Sequence, residues 1–223
     1  MPRSRAAMCL PLIGFYLCEI AWGSTLPVLT PQQYWLSDLF NFVALPVAVL
    51  LFYTRRLGLP LSQFYRYSTA PDAATYTKRE LILLGLIYTV PVCIVIVLSL
   101  HIGHIVASFF PHVLAGDTYN SVELSKGHFL RKVYLAATAG LMEELMYRGG
   151  GKIVWRYAFP SGGNTGYVLF TTLIFASLHW PHGLFNIIQA ALTGLVLGVF
   201  YIRLNDLRPL IIAHALSDFI MYL

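Results

Sequence analysis

Seven long apolar segments dominate this sequence and limit what it can fold into. They cover residues 7–24, 34–53, 81–110, 132–148, 165–181, 183–202 and 208–223. A helix of about 17–25 apolar residues crosses the ~30 Å hydrocarbon core of a bilayer. Only 11% of the residues are charged, whereas a soluble domain has about 25%. We therefore predict an all-α, polytopic transmembrane helix bundle of about seven spans, within a range of six to eight, that forms one integral membrane domain over residues 1–223.

Lysine and arginine are distributed unevenly between the two sides of this predicted bundle. If the N-terminus is cytoplasmic, twelve of the 15 basic residues fall on the cytoplasmic side, which is where such residues are enriched in membrane proteins. These twelve are Arg3, Arg5, Arg55, Arg56, Arg66, Lys78, Arg79, Arg148, Lys152, Arg156, Arg203 and Arg208. The count predicts an odd number of spans and a multi-pass protein of a prokaryotic cytoplasmic membrane. The net charge of +5 is then a topology signal, and we expect a lipid partner and no nucleic acid.

The stretch "AGLMEELMYRGGG" at 139–151 places two carboxylates and an arginine inside an apolar segment. Ionisable residues within a membrane are costly and usually functional. Glu144 and Arg148 are four residues apart on one helix face, with the acid first, so we predict that they neutralise each other. Glu143 is rotated by about 100°, shares its face with Tyr147 and has no obvious cation. It is therefore available as a general acid or base.

Two later segments carry further polar residues that can act together with Glu143. "FASLHWPHG" ends with His179 four residues after Phe175, and "HALSD" puts His214 and Asp218 four residues apart on one face. We predict that Glu143, His179, His214 and Asp218 converge on a polar, water-filled cavity. Such a set provides the groups needed for water activation and oxyanion stabilisation.

The remaining polar residues within or beside the spans have simpler interpretations. The residues interpreted as interfacial are His182, His101, His104 and His112, with a metal site at the last three a weak alternative. Those interpreted as interfacial or packing groups are Glu19, Asp38 and Asn41. Gly194 and Gly198 have the spacing of a close helix contact.

Together, the three clusters resemble the CAAX prenyl endoprotease and bacteriocin-processing family of intramembrane glutamic proteases. The matching motifs are "EELMYR" at 143–148, followed by Gly149, then "FASLH" at 175–179 and "HALSD" at 214–218. The resemblance covers about residues 130–223, and it distinguishes N-terminal spans over 1–130, with little motif content, from catalytic core spans over 131–223.

The resemblance implies an endopeptidase that cuts a peptide bond near the membrane anchor or C-terminal tail of a protein substrate, without a cofactor. Glu143 would activate water with help from His179, and Glu144 and Arg148 would give structural support. His214 and residue 218 would stabilise the oxyanion. Many members have Asn at the last position, and an ionised Asp218 cannot donate a hydrogen bond. We therefore expect Asp218 to orient His214 instead.

Three alternatives remain at this stage. Zinc is the chemical rival, with Glu143, His179 and His214 as its ligands, although the sequence lacks a His-Glu-x-x-His motif. A non-catalytic immunity or peptide-binding protein on the same scaffold is the second. The third is a transporter or proton channel, which the clustering of polar residues in one half of the chain disfavours.

The depth of Glu143 in the membrane also stays open. The predicted spans put Glu143 near the cytoplasmic end of its helix but His179 near the far end of its own. Either the helix continues past the glycines at 149–151 toward Trp155, or the segment 149–166 is re-entrant, which is tolerated where backbone lines a cavity.

Overall fold

The computed structural model describes residues 4–23, 31–68, 75–109 and 129–223. Within them the chain is almost entirely helical and forms no strand; one isolated antiparallel bridge joins Arg66 and Asp206. The helices are α1 (Arg5–Gly23), α2 (Pro31–Leu39), α3 (Leu45–Leu51), α4 (Ser62–Tyr65), α5 (Lys78–Phe109), α6 (Phe129–Glu143), α7 (Gly151–Ala158), α8 (Asn164–Ser177), α9 (Gly183–Leu204) and α10 (Arg208–Tyr222). Wider π-helical segments, Phe40–Ala44, Phe52–Arg56 and Glu144–Gly150, join or extend them, and a short 3-10 turn covers Trp180–His182. The predicted all-α bundle is confirmed.

Four helical stretches are long and apolar enough to cross a membrane: Arg5–Trp22, Gln33–Arg56, Lys78–Ser99 and Trp180–Leu204. The other predicted spans correspond to shorter or less apolar helices, such as α8 with 14 residues and α10 with 15. Helix α5 exposes a continuous apolar surface that includes Ile82, Leu86 and Val90. Exposed apolar helices of this length suit a lipid environment. The chain is an integral membrane protein.

Packing between helices places the C-terminal half at the centre of the bundle. Helix α10 packs against α5 and α6, α9 packs against α8 and α5, and α1 packs against α7. The buried residues Leu197, Tyr201 and Leu210 belong to this core. Gly194 and Gly198 lie against α8, since an added Cβ would come within 3.3 Å of Phe175 and of Val168 respectively, as the predicted close contact requires.

The helix that contains Glu143 does not end at the glycines. Residues 129–158 are continuously helical, because α6 runs into the π-helical segment Glu144–Gly150 and then into α7. The helix therefore continues past the glycines toward Trp155, as the first of the two alternatives for this region has it. Glu143 lies in the interior of a 30-residue helical stretch and not at a helix end.

The three glycines in this helix allow neighbouring elements to approach closely. A Cβ at Gly149 would lie 2.4 Å from the backbone oxygen of Phe64, in α4. A Cβ at Gly150 would lie 2.6 Å from Leu12 in α1, and one at Gly151 would lie 2.6 Å from Thr171 in α8. The glycine run is a packing site shared by three elements.

Candidate active site

A cavity of about 350 Å³ opens between α1, α2, α6, α9, α10 and the turn after α8. Its lining contains all four predicted catalytic residues: Glu143, His179, His214 and Asp218. Tyr147, which the helical spacing placed on the face of Glu143, also lines it. The structure therefore brings together residues from three separate sequence motifs, although their catalytic roles stay predictions.

Glu144 and Arg148 form the predicted ion pair deep inside the protein. The Oε1 atom of Glu144 lies 2.9 Å from a terminal nitrogen of Arg148, and both side chains are fully buried. The guanidinium also packs 4.0 Å from the ring centre of Phe175. The ion pair and the aromatic contact together stabilise Arg148. The pair is buried next to Phe175, which lines the cavity.

His214 lies between three carboxylates, and its contact with Glu144 was not expected from the sequence. Its Nδ1 lies 2.8 Å from Oε1 of Glu144, while its Nε2 lies 3.7 Å from Oε2 of Glu143 and 3.6 Å from Oδ2 of Asp218. An ionised carboxylate only accepts, so Nδ1 donates to Glu144. Glu144 is thus hydrogen-bonded to His214, while Asp218 lies close to the other ring nitrogen, and its orienting role stays a prediction. Glu143 is also not isolated, since it faces a histidine that can carry charge.

Phe175 has a larger role than its motif position indicated. Its ring lies against Arg148 and within 4.9 Å of the His179 ring, with the His214 ring 6.2 Å away at a steep angle. The sequence marked Phe175 only as the residue four before His179. The spacing of four residues indicated only that Phe175 and His179 are neighbours. The structure adds Arg148 and His214 as partners of the Phe175 ring, and both come from other elements.

His179 is held by the end of its own helix. Its Nδ1 lies 2.9 Å from the backbone oxygen of Phe175, so this nitrogen donates to the carbonyl and leaves Nε2 for another partner. The residue is half-buried and follows the last turn of α8. Unlike a fixed core histidine, it contributes to the lining of the cavity.

Residues from the first half of the chain complete the cavity, and sequence analysis missed this. Glu19 and Asp38 line it beside Glu143, and Tyr134 donates a hydrogen bond to Asp38. Asn41 is buried and borders a small adjoining cavity together with Glu19 and Glu143. Their interpretation as interfacial or packing groups did not place Glu19 and Asp38 beside this cavity. In the sequence, both acids stand out because they lie within apolar segments. That position does not show which residues their side chains face.

The other histidines fall into two groups. His182 lines the cavity and is half-buried. His101 is exposed, with Nδ1 2.8 Å from the backbone oxygen of Val97. The side chain of His104 and the whole of His112 lie outside the described residues.

Fold and cavity together define a helical integral membrane protein with a buried cluster of carboxylates and histidines suited to hydrolysis. A family model described as type II CAAX prenyl endopeptidase Rce1-like matches residues 126–220. Over these residues the chain is similar to that family, in agreement with the resemblance carried by the three motifs. At the family level the match supports a CAAX-type intramembrane protease acting on a protein substrate. No curated protein and no solved structure matches the chain.

Proposed function

We propose that this protein is a glutamate-dependent intramembrane endopeptidase that cleaves a peptide bond near the membrane anchor or C-terminal tail of a protein substrate. One observation carries the proposal: Glu143, His179, His214 and Asp218 line a single cavity beside a fully buried Glu144–Arg148 pair. A peptide-binding or immunity protein would not need a carboxylate and three other titratable groups at one cavity. The family match of residues 126–220 supports the same activity class.

The proposed reaction begins at Glu143. Its carboxylate removes a proton from a water molecule, with His179 on the same cavity wall assisting, and the water oxygen attacks the carbonyl carbon of the scissile peptide bond. The C–N bond then breaks, and Glu143 delivers the proton to the leaving amine. The products are a new C-terminus and a new N-terminus.

His214 is the proposed donor to the oxyanion that forms on the carbonyl oxygen. In its doubly protonated form the ring donates from both nitrogens, Nδ1–H to Glu144 and Nε2–H toward the cavity. Positioned donors at a developing oxyanion contribute about 10²–10³-fold in rate. Asp218, 3.6 Å from Nε2, balances the charge of that ring and lies beside the reacting groups.

We propose that this reaction needs no metal ion. Among the described residues no group of three histidine, cysteine, aspartate or glutamate side chains is placed to share one metal, which favours this proposal over zinc bound by Glu143, His179 and His214. The cleavage rate should be unchanged after dialysis against a chelator. Loss of activity that zinc restores would replace the glutamate mechanism with a metal-dependent one.

Substrate identification provides the test of the function. Membrane proteins from cells with the wild-type chain and with Glu143→Gln or His179→Ala are compared by mass spectrometry of their C-termini. Both variants should accumulate uncleaved substrates, because loss of a general base lowers rates by about 10²–10⁴-fold. Glu80→Gln, at the exposed start of α5, is the matched control and should process normally. Equal processing by wild type and Glu143→Gln, at equal membrane levels, would refute the proposed function.

A further inference from the structure

The described lysines and arginines gather at one end of the bundle, which we call the basic end. It contains Arg5, Arg55, Arg56, Arg66, Lys78, Arg79, Lys152, Arg156, Arg203 and Arg208. Contacts tie these segments together: Lys152 donates to the backbone oxygens of Gln63 and Arg66, and Arg156 to that of Tyr67. These contacts bring the segment 63–67 and the start of α7 together at one end of the bundle, with Lys152 itself buried there.

Two further contacts join the starts of α10 and α1 to this end. The backbone nitrogen of Leu207 donates to the oxygen of Tyr65 at 2.8 Å. The hydroxyl of Tyr53 donates to the backbone oxygen of Met8, near the start of α1, at 2.6 Å. Among the described residues of the twelve counted from the sequence, Arg148 does not belong to the basic end, because it is fully buried in its ion pair.

The cavity lies toward the opposite end of the same helices. Helix α1 starts with Arg5 and lines the cavity with Glu19 and Trp22, near its last turn. Helix α9 ends beside Arg203 and lines the cavity from Asn186 onward, near its first turns. Helix α10 follows the same rule, since it begins at Arg208 and reaches the cavity through His214, Asp218 and Tyr222.

Charge and aromatic residues mark this second end as the other membrane interface. Among the described residues its lysines and arginines are Arg131 and Lys132, at the start of α6. Aromatic side chains are enriched where helices leave the hydrocarbon, and Trp22, Tyr34 and Tyr222 line the cavity there. Trp180 lies at the same end, where its Nε1 donates to the backbone oxygen of Ile20 at 3.3 Å.

Segments rich in lysine and arginine stay on the cytoplasmic side of a membrane, so the cavity opens on the other side. We propose that the substrates are exported, membrane-anchored proteins whose scissile bond lies at the non-cytoplasmic face, within reach of that cavity. This inference rests on the proposed endopeptidase activity for its chemistry. The direction in which the cavity opens does not depend on that activity. A cavity that opens on the non-cytoplasmic side would distinguish this protein from an enzyme that cleaves lipid-modified tails in the cytoplasm.

Cysteine labelling in intact cells tests the direction of the cavity. In a full-length protein whose Cys9, Cys18 and Cys93 are replaced, Trp180→Cys and Leu223→Cys report on the cavity end. Arg56→Cys, at an exposed position, reports on the basic end. A membrane-impermeant maleimide should label the first two variants from outside and the third only after permeabilisation. Two cysteine positions are used at the cavity end so that the test still works if Trp180→Cys disturbs the fold locally. Labelling in the reverse pattern would overturn the inference.

The comparison of C-termini between wild type and Glu143→Gln provides a second test of this inference. Proteins that accumulate uncleaved with Glu143→Gln should have their cleavage site on the non-cytoplasmic side of their anchor. Cleavage sites on the cytoplasmic side would overturn the inference but leave the endopeptidase intact. Unchanged processing would instead refute the enzyme, while the labelling result would still decide the direction of the cavity.

Discussion

At the scale of single residues, the two adjacent glutamates have different surroundings. Glu144 is fully buried and contacts both Arg148 and His214, whereas the side chain of Glu143 is 14% exposed and borders the cavity. Helical spacing predicted the first pair because both members lie on one helix. The contact with His214 could not be predicted, since it depends on how α10 packs against the π-helical segment, 70 residues earlier in the chain.

The buried pair leads to a stability prediction for Arg148. Arg148→Met keeps most of the side-chain volume but removes the charge opposite Glu144, so a buried carboxylate loses its cation. We expect the free energy of unfolding to fall by about 3–5 kcal/mol, measured by thermal unfolding of the purified protein in detergent. Arg203→Met, at an exposed position on α9, is the control and should change stability by about 0.5 kcal/mol or less. Equal stability of both variants would contradict a structural role for Arg148.

At the scale of helices, the sequence predicted the class of the elements better than their number and ends. Apolar runs identify a membrane helix, but they do not show whether a glycine run stops it. Here the helix passes through Gly149–Gly151 because π-helical geometry widens one turn and because three neighbours need the space that a side chain would fill. π-helical turns are frequent at functional sites, and this one carries both Glu144 and Arg148.

Gly149 provides a direct test of this packing. In Gly149→Ala the new Cβ would lie 2.4 Å from the backbone oxygen of Phe64, so α4 or the helix must shift. We expect a loss of about 1–3 kcal/mol in the free energy of unfolding. The control is Gly14→Ala in α1, where nothing lies within 4 Å of the added carbon and alanine favours the helix by about 1 kcal/mol. If both variants had wild-type stability, the close contact at Gly149 would be wrong.

At the scale of the whole molecule, the N-terminal half contributes more than its lack of motifs suggested. The family match begins at residue 126, yet Glu19 and Asp38 line the cavity, and α1 packs against α7. Motifs identify residues with shared chemistry, but they do not show which apolar helices enclose them. The division into spans with little motif content and catalytic core spans stays a prediction about function, because the cavity itself is built from both parts.

The central claim is that Glu143 performs the chemistry while Glu144 maintains the structure. The most direct test measures single-turnover cleavage of an identified substrate and the unfolding temperature for Glu143→Gln and Glu144→Gln side by side. We predict that Glu143→Gln unfolds at the wild-type temperature and cleaves at least about 100-fold more slowly. Glu144→Gln should unfold at a lower temperature, because it leaves the charge of Arg148 buried without its partner. Wild-type cleavage by a correctly folded Glu143→Gln protein would contradict the account.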